Sequence, residues 1–233
     1  MENVPEYLPI FFGLTVVLSI WIFYKATNYS KWFLLTMLIW AAIQITLSVS
    51  GFYWSNDTMP PRFQLMVLPA IVVLIILFTT TKGKAFIDEL DLKSLTLFSL
   101  IRIPVEIVLF GLFTYKAIPE LMTFEGRNFD IFSGLSAPVI YYLVFVKGKF
   151  GRIALLVWNV ACLGLLLNVV FYALLSIPSV FQHFAFDQPN VAVTYFPFVL
   201  LPSCLVPLVM LSHFASIRII VTTARTQNRP VSD

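Results

Sequence analysis

Apolar residues in this chain come in long unbroken runs instead of at the three-to-four spacing of an amphipathic helix. Seven runs stand out, at residues 7–24, 32–53, 63–80, 95–115, 129–146, 153–176 and 193–221. Runs of about 20 such residues cross the hydrocarbon core of a bilayer as helices. The pattern predicts an all-α membrane protein, a seven-transmembrane helix bundle forming one polytopic domain over residues 1–233. Two connections stand apart. Thr81–Ser94 sets Phe86, Leu90 and Leu92 among charges and reads as a short helix lying on the headgroups. Ile177–Asn190 carries Phe181, Phe184 and Phe186, which are expected in the interface or folded inward as a lid over the bundle. The first and last three runs share no motif that would align them as a repeat.

Composition closes off other classes. The chain is 59% hydrophobic and 12% charged, where a soluble domain carries about 25% charged residues. No room is left for a soluble domain. Cys162 and Cys204 both fall inside apolar runs and form no secreted disulfide framework. The residues before the first run include Glu2 and Glu6 and no lysine or arginine, the reverse of a signal peptide, so the first span is expected to remain in the protein.

Charge sets the expected orientation. Lys25, Lys31, Lys82, Lys84, Lys93, Lys147, Lys149, Arg152, Arg218, Arg225 and Arg229, eleven basic residues, fall in the connections of one side. Arg62, Lys116 and Arg127, three residues, fall on the other. Lysine and arginine stay with cytoplasmic loops, which predicts the N-terminus outside and the C-terminus cytoplasmic. The net charge of +3 is therefore a topology signal and implies no nucleic-acid partner.

Candidate chemistry concentrates in Arg102–Asp130, where an arginine, a proline and a glutamate interrupt an apolar run. A charge within a span is costly and marks function by default. Arg102 and Glu106 are four apart and share a helix face with Ser99. They are expected to form a buried pair in which the arginine holds Glu106 ionised. Pro104 between them removes a backbone donor toward Leu100 and predicts a kink. Glu125, Arg127 and Asp130 are read as an outer entrance. Asn128 is a plausible N-cap for the fifth span, with Asp130 in its first turn. On the sixth span Asn159 and Asn168 lie nine residues apart, about 180° around the helix, which predicts a helix enclosed by protein. Gln44, Ser48, Ser212, His213 and Ser216 are further candidates to face the interior, although a histidine so near Arg218 reads as interfacial. Ser133, Gly134, Ser136 and Ala137 are small enough to admit a neighbouring helix closely, and Pro138 predicts a second kink. A metal set of Glu125, Asp130, His183 and Asp187 lacks ligand spacing and is not adopted.

No lysine in the seventh run can hold a retinal, and no receptor-type DRY or NPxxY segment occurs. Two histidines are too few for desaturase-type or bis-histidine haem centres. No cofactor, metal site or catalytic residue is assigned. The segments RIPVEIVLFGLF, PELMTFEGRNFDIFSGLSAP, WNVACLGLLLN and FAFDQPN resemble a group of uncharacterised bacterial seven-span proteins over most of the chain. The resemblance implies a bacterial cytoplasmic (inner) membrane and the same helix count; it carries no activity. The expected function is binding or transport of a small molecule or ion through a polar intramembrane site built from Arg102, Glu106, Glu125, Arg127, Asn128, Asp130, Asn159 and Asn168. The alternative is a structural or signalling subunit acting through a protein partner, its polar groups only holding helices together. An intramembrane enzyme using Glu106 ranks third.

Overall fold

The computed structural model describes residues 4–54 and 59–227, with side chains to Ala224, and no strand occurs among them. Glu2, Arg229 and the side chain of Arg225, which entered the signal-peptide and orientation readings, lie outside the described residues. Among the described residues nine α-helices follow in order: α1 (Tyr7–Ala26), α2 (Lys31–Val49), α3 (Gln64–Thr79), α4 (Thr81–Asp88), α5 (Leu92–Phe98), α6 (Arg102–Thr114), α7 (Ile131–Tyr141), α8 (Arg152–Leu175) and α9 (Val206–Gln227). Five continuous segments among the described residues are long and apolar enough to cross a membrane: Tyr7–Ala26, Lys31–Val49, Leu92–Thr114, Arg152–Leu175 and Leu201–Ala224. A sixth arises if α3 and α4 count as one broken span. The remaining apolar stretch, Ile131–Val146, is shorter.

Local chemistry explains where these helices start and bend. Ser30 accepts from the Phe33 amide at 3.4 Å to open α2, and Asp91 accepts from the Ser94 amide at 2.9 Å to open α5. Thr80 does the same for α4 through the Gly83 amide at 3.1 Å. There the chain turns by 89°, and Gly83 lies so close to the Leu77 backbone that no Cβ would fit. The α4 helix buries Ile87 and is followed by buried Leu90. Its exposed Asp88 meets Arg218 of α9 at 2.7–2.9 Å.

Proline acts as expected beside Arg102, in milder form. Pro104 has no N–H for the Leu100 carbonyl, and the chain tightens into a 3₁₀ turn at Ser99–Ile101 between α5 and α6. The span is not broken there. The last apolar run starts later than its hydropathy suggests. Residues 192–194 form a 3₁₀ turn and the helical path begins only at Leu201, with a π turn through Leu205.

The centre of the bundle is not the sixth span. In Leu92–Thr114 and Leu201–Ala224, 56% of the apolar window is buried, against 28% for Arg152–Leu175. The α8 helix buries one stripe, Leu155, Asn159, Cys162, Leu166 and Val169, and turns Ile153, Val157, Val160 and Phe171 outward. Two amides on opposite faces did not require enclosure, because Asn168 is served by a loop passing over the helix near its end: its Nδ2 donates to the Arg127 carbonyl at 2.6 Å.

Around the two central helices the packing is close. Gly134 of α7 sits against the 3₁₀ turn, where a Cβ would meet Ile103 Cγ1 at 2.8 Å. Gly111 of α6 stands equally close to Leu8 of α1. Phe23 of α1 meets Phe98 edge-on at 5.1 Å. Phe184 from the aromatic connection packs on Phe171 and Tyr172, while Phe181 and Phe186 stay exposed.

Candidate functional site

A short loop brings the polar groups together. After the 3₁₀ turn Glu120–Met122, the Gly126 and Asn128 amides both donate to the Thr123 carbonyl, at 3.0 and 3.1 Å. Gly126 lies against the Glu120 carbonyl with no room for a Cβ. This curl points Asn128, fully buried, back at α6. Its Nδ2 donates to both Glu106 carboxyl oxygens at 2.7 and 2.8 Å and to the Met122 carbonyl at 3.0 Å. Its Oδ1 accepts from the Asp130 amide at 3.0 Å. Asn128 therefore links loop to helix and is not the N-cap; Asp130 is the residue that flanks α7.

Arg102 does not pair directly with Glu106. Its Nη1 pairs with Oδ1 of Asp130, which also accepts from Ser133 Oγ at 3.2 Å. Its Nη2 meets Nε2 of His213 at 2.9 Å, and Nδ1 of that ring meets Oδ1 of Asn159 at 2.9 Å. Asn159 Nδ2 donates to the Leu155 carbonyl at 2.9 Å. Trp158 packs edge-on to His213 at 6.0 Å and donates to Ser136 Oγ at 2.9 Å. Arg102 and Glu106 share a face as their spacing requires. However, the loop delivers Asp130 to the guanidinium and Asn128 to the carboxyl, so the link between the two runs through Asn128 and Asp130.

Five of the eight expected site residues, Arg102, Glu106, Asn128, Asp130 and Asn159, thus form one buried cluster. The other three do not join it. Arg127 is exposed and donates to Tyr172 Oη at 2.8 Å, with its guanidinium over that ring. Asn168 holds the Arg127 carbonyl, and Glu125 is exposed. Arg127 and Asn168 thus meet at the loop beside the cluster, and Glu125 stands apart from both. His183 faces the Phe181 carbonyl at 2.8 Å, and no group of three metal-binding side chains comes together among the described residues.

His213 is the member that the sequence reading placed elsewhere. With α9 ending at Gln227, His213 lies 14 residues, about 21 Å at 1.5 Å per residue, from that end. Its spacing to Ser216 puts both on one face, and both are buried.

A cavity of about 90 Å³ reaches Arg102, Glu106 and Asp130, with Val169, Ile177 and Asn190 among its other walls. Close to the cluster, Arg102 Nε, Ser99 Oγ and Ser216 Oγ are buried without a protein hydrogen-bond partner. Apart from the charged groups and Asn190, the walls of the first cavity are apolar, and a second, larger and likewise apolar space of about 470 Å³ lies between α2 and α3 over α9. No family model matches the chain, and neither a curated protein nor a solved structure is detectably similar to it.

Proposed function

We propose that the chain is a membrane-embedded bundle that binds, and by that route moves, a small molecule or ion at the Arg102–Asp130–His213–Glu106 cluster. In this reading the bent α3–α4 pair and Ile131–Val146 complete seven spans. The N-terminus is outside, the C-terminus is cytoplasmic, and the setting is a bacterial cytoplasmic membrane. The observation that carries the reading is the cavity against the charged cluster. An ion pair serving only to join helices needs no adjoining space, and its donors would be satisfied. Here Arg102 is 3% exposed, borders a cavity and has an unpartnered Nε.

The test is a stability screen of the purified protein against small molecules and ions, since a ligand that binds only the native state raises its melting temperature. The reading predicts a stabilising ligand whose effect disappears in Val169→Trp, which fills the cavity from α8 without touching the charges. A ligand shift unchanged by that substitution would contradict it.

A second reading, a subunit acting through a protein partner, is favoured by α2, which buries only Ala41, Gln44 and Ser48 and leaves its other side open. It predicts a stoichiometric protein that co-purifies and is lost when the open face of α2 carries a bulky polar residue at Leu38.

A further inference from the structure

The hydrogen bonds of the cluster settle the charge of each ionisable member but one. Arginine only donates, so Arg102 Nη2 makes Nε2 of His213 an acceptor. The ring proton then sits on Nδ1 and is donated to Oδ1 of Asn159. The amide side of Asn159 is engaged with the Leu155 carbonyl, which leaves Oδ1 facing the ring. His213 is the neutral tautomer. The charge of Arg102 is matched by Asp130. Glu106 has no cation in hydrogen-bond contact, since both of its oxygens are met by the neutral amide of Asn128. With Glu106 ionised, the cluster would hold one cation and two anions, a net single negative charge in a buried site. An uncompensated buried charge is among the most costly features a fold can carry. The cluster calls for one more positive charge.

A second observation says where that charge travels. Ser99 precedes Arg102 by three residues and Ser216 follows His213 by three, on α9. The α5 and α9 helices pack together, so both hydroxyls lie one turn from the Arg102–His213 contact, toward the α4 end. Their oxygens and Arg102 Nε have no protein partner, and buried polar groups are satisfied as a rule, by ordered water where protein does not serve. On the other side, the 90 Å³ cavity reaches Glu106 and Asp130. A space that holds a water needs about 10–15 Å³ and polar partners; the walls are otherwise almost wholly apolar, so water is held only where the cavity meets the Glu106 and Asp130 carboxyl groups.

We propose that the ion of this site is the proton, bound and released by Glu106, with the cavity and the Ser99–Ser216 line as its two routes of exchange. This rests on the reading that the cluster is a working site. In the step, an O–H bond forms on a Glu106 carboxyl oxygen as a hydrated proton in the cavity gives it up, and the same bond breaks on release. No oxidant or reductant is involved. Asn128 gives up one of its two contacts to Glu106 and keeps the Met122 carbonyl. The charged groups that face Glu106 are Arg102 on its own helical run and Asp130 beside α7. Cys162 of α8 and His213 of α9 face Arg102 instead. The α1 helix, packed along α6, has no charged residue before Lys25.

The experiment is an infrared pH titration of the full chain in lipid vesicles. A protonated carboxyl has a carbonyl band apart from carboxylate absorption, and the band shifts in heavy water. The proposal expects such a band at neutral pH, lost in Glu106→Gln, unchanged in Glu89→Gln at the far end, and fading as pH rises. Should Glu106→Gln fail to fold, Glu106→Asp keeps the carboxyl and must move the band. A band absent at neutral pH overturns the proposal. So does a Glu106 band that stays constant into alkaline pH, since that carboxyl would never release its proton. A stabilising ligand found in the screen with no Glu106 band would refute the proton alone and leave the ligand reading standing.

Discussion

Around Leu92–Thr114 and Leu201–Ala224, charged and amide side chains of three helices and a loop are joined in one buried network. On the far side of the molecule, α2 and α3 leave an apolar space of about 470 Å³ between them. That side is tied by short-range polar contacts, the longest chain of which runs from Tyr53 through Gln44 to the Leu65 carbonyl. Trp40 Nε1 donates to the Ser203 carbonyl at 2.8 Å, Ser48 Oγ to the Thr194 carbonyl at 2.9 Å, and Tyr53 Oη to Gln44 Oε1 at 2.8 Å. The difference is one of coupling. In the network each group orients the next, so losing one leaves others buried and unpaired; on the α2–α3 side a lost contact stays a local loss.

That contrast can be broken or sharpened by substitution, read as denaturation of the purified protein. The largest effect is expected for Arg102→Met, which leaves Asp130 buried without its cation. Removing one partner of such a pair costs about 3–5 kcal/mol. Gly134→Ala forces a methyl against Ile103 and should cost about 1–3 kcal/mol by overpacking. Gly164→Ala, with nothing within 4 Å, should be neutral or stabilising by up to about 1 kcal/mol. On the α2–α3 side, Gln44→Leu takes a partner from the buried Tyr53 hydroxyl and from the Leu65 carbonyl and should lose about 1–3 kcal/mol, below the loss at Arg102. Glu106→Gln mimics a protonated carboxyl and should change stability by less than about 1 kcal/mol, far less than loss of an ion-pair partner. Smallest of all, Asp88→Asn removes a largely solvated pair with Arg218 and should cost about 0.2–1 kcal/mol. A loss at Gln44 as large as that at Arg102 would erase the contrast.

How much of this the sequence disclosed follows from what each inference rested on. Most helix positions followed from hydropathy, because an apolar run has few other ways to satisfy its backbone, but the last run is helical only from Leu201 and Ile131–Val146 falls short of the spanning length. Arg102 and Glu106 declared themselves by being charged among apolar residues, and the small residues around Gly134 foretold a close helix approach. Partners were another matter. Helical spacing says that Arg102 and Glu106 share a face, but which groups they meet depends on a loop whose curl is set by Thr123, Gly126 and Asn128. His213 was read as interfacial because of Arg218 five residues on, but Arg218 turns to Asp88 while the ring turns inward to Arg102. The enclosure of α8 was inferred from side-chain polarity alone, when one amide needed only a passing carbonyl.

The central claim is that Arg102 is bonded to Asp130 and that Glu106 carries no balancing charge for it. Two double-mutant cycles test this directly, one combining Arg102→Met with Asp130→Leu and the other combining Arg102→Met with Glu106→Gln. The account predicts a coupling near the upper end of about 0.5–3 kcal/mol for Arg102 with Asp130, so that the double replacement recovers much of the lost stability, and a clearly smaller coupling for Arg102 with Glu106. A coupling to Glu106 equal to or larger than that to Asp130 would contradict it.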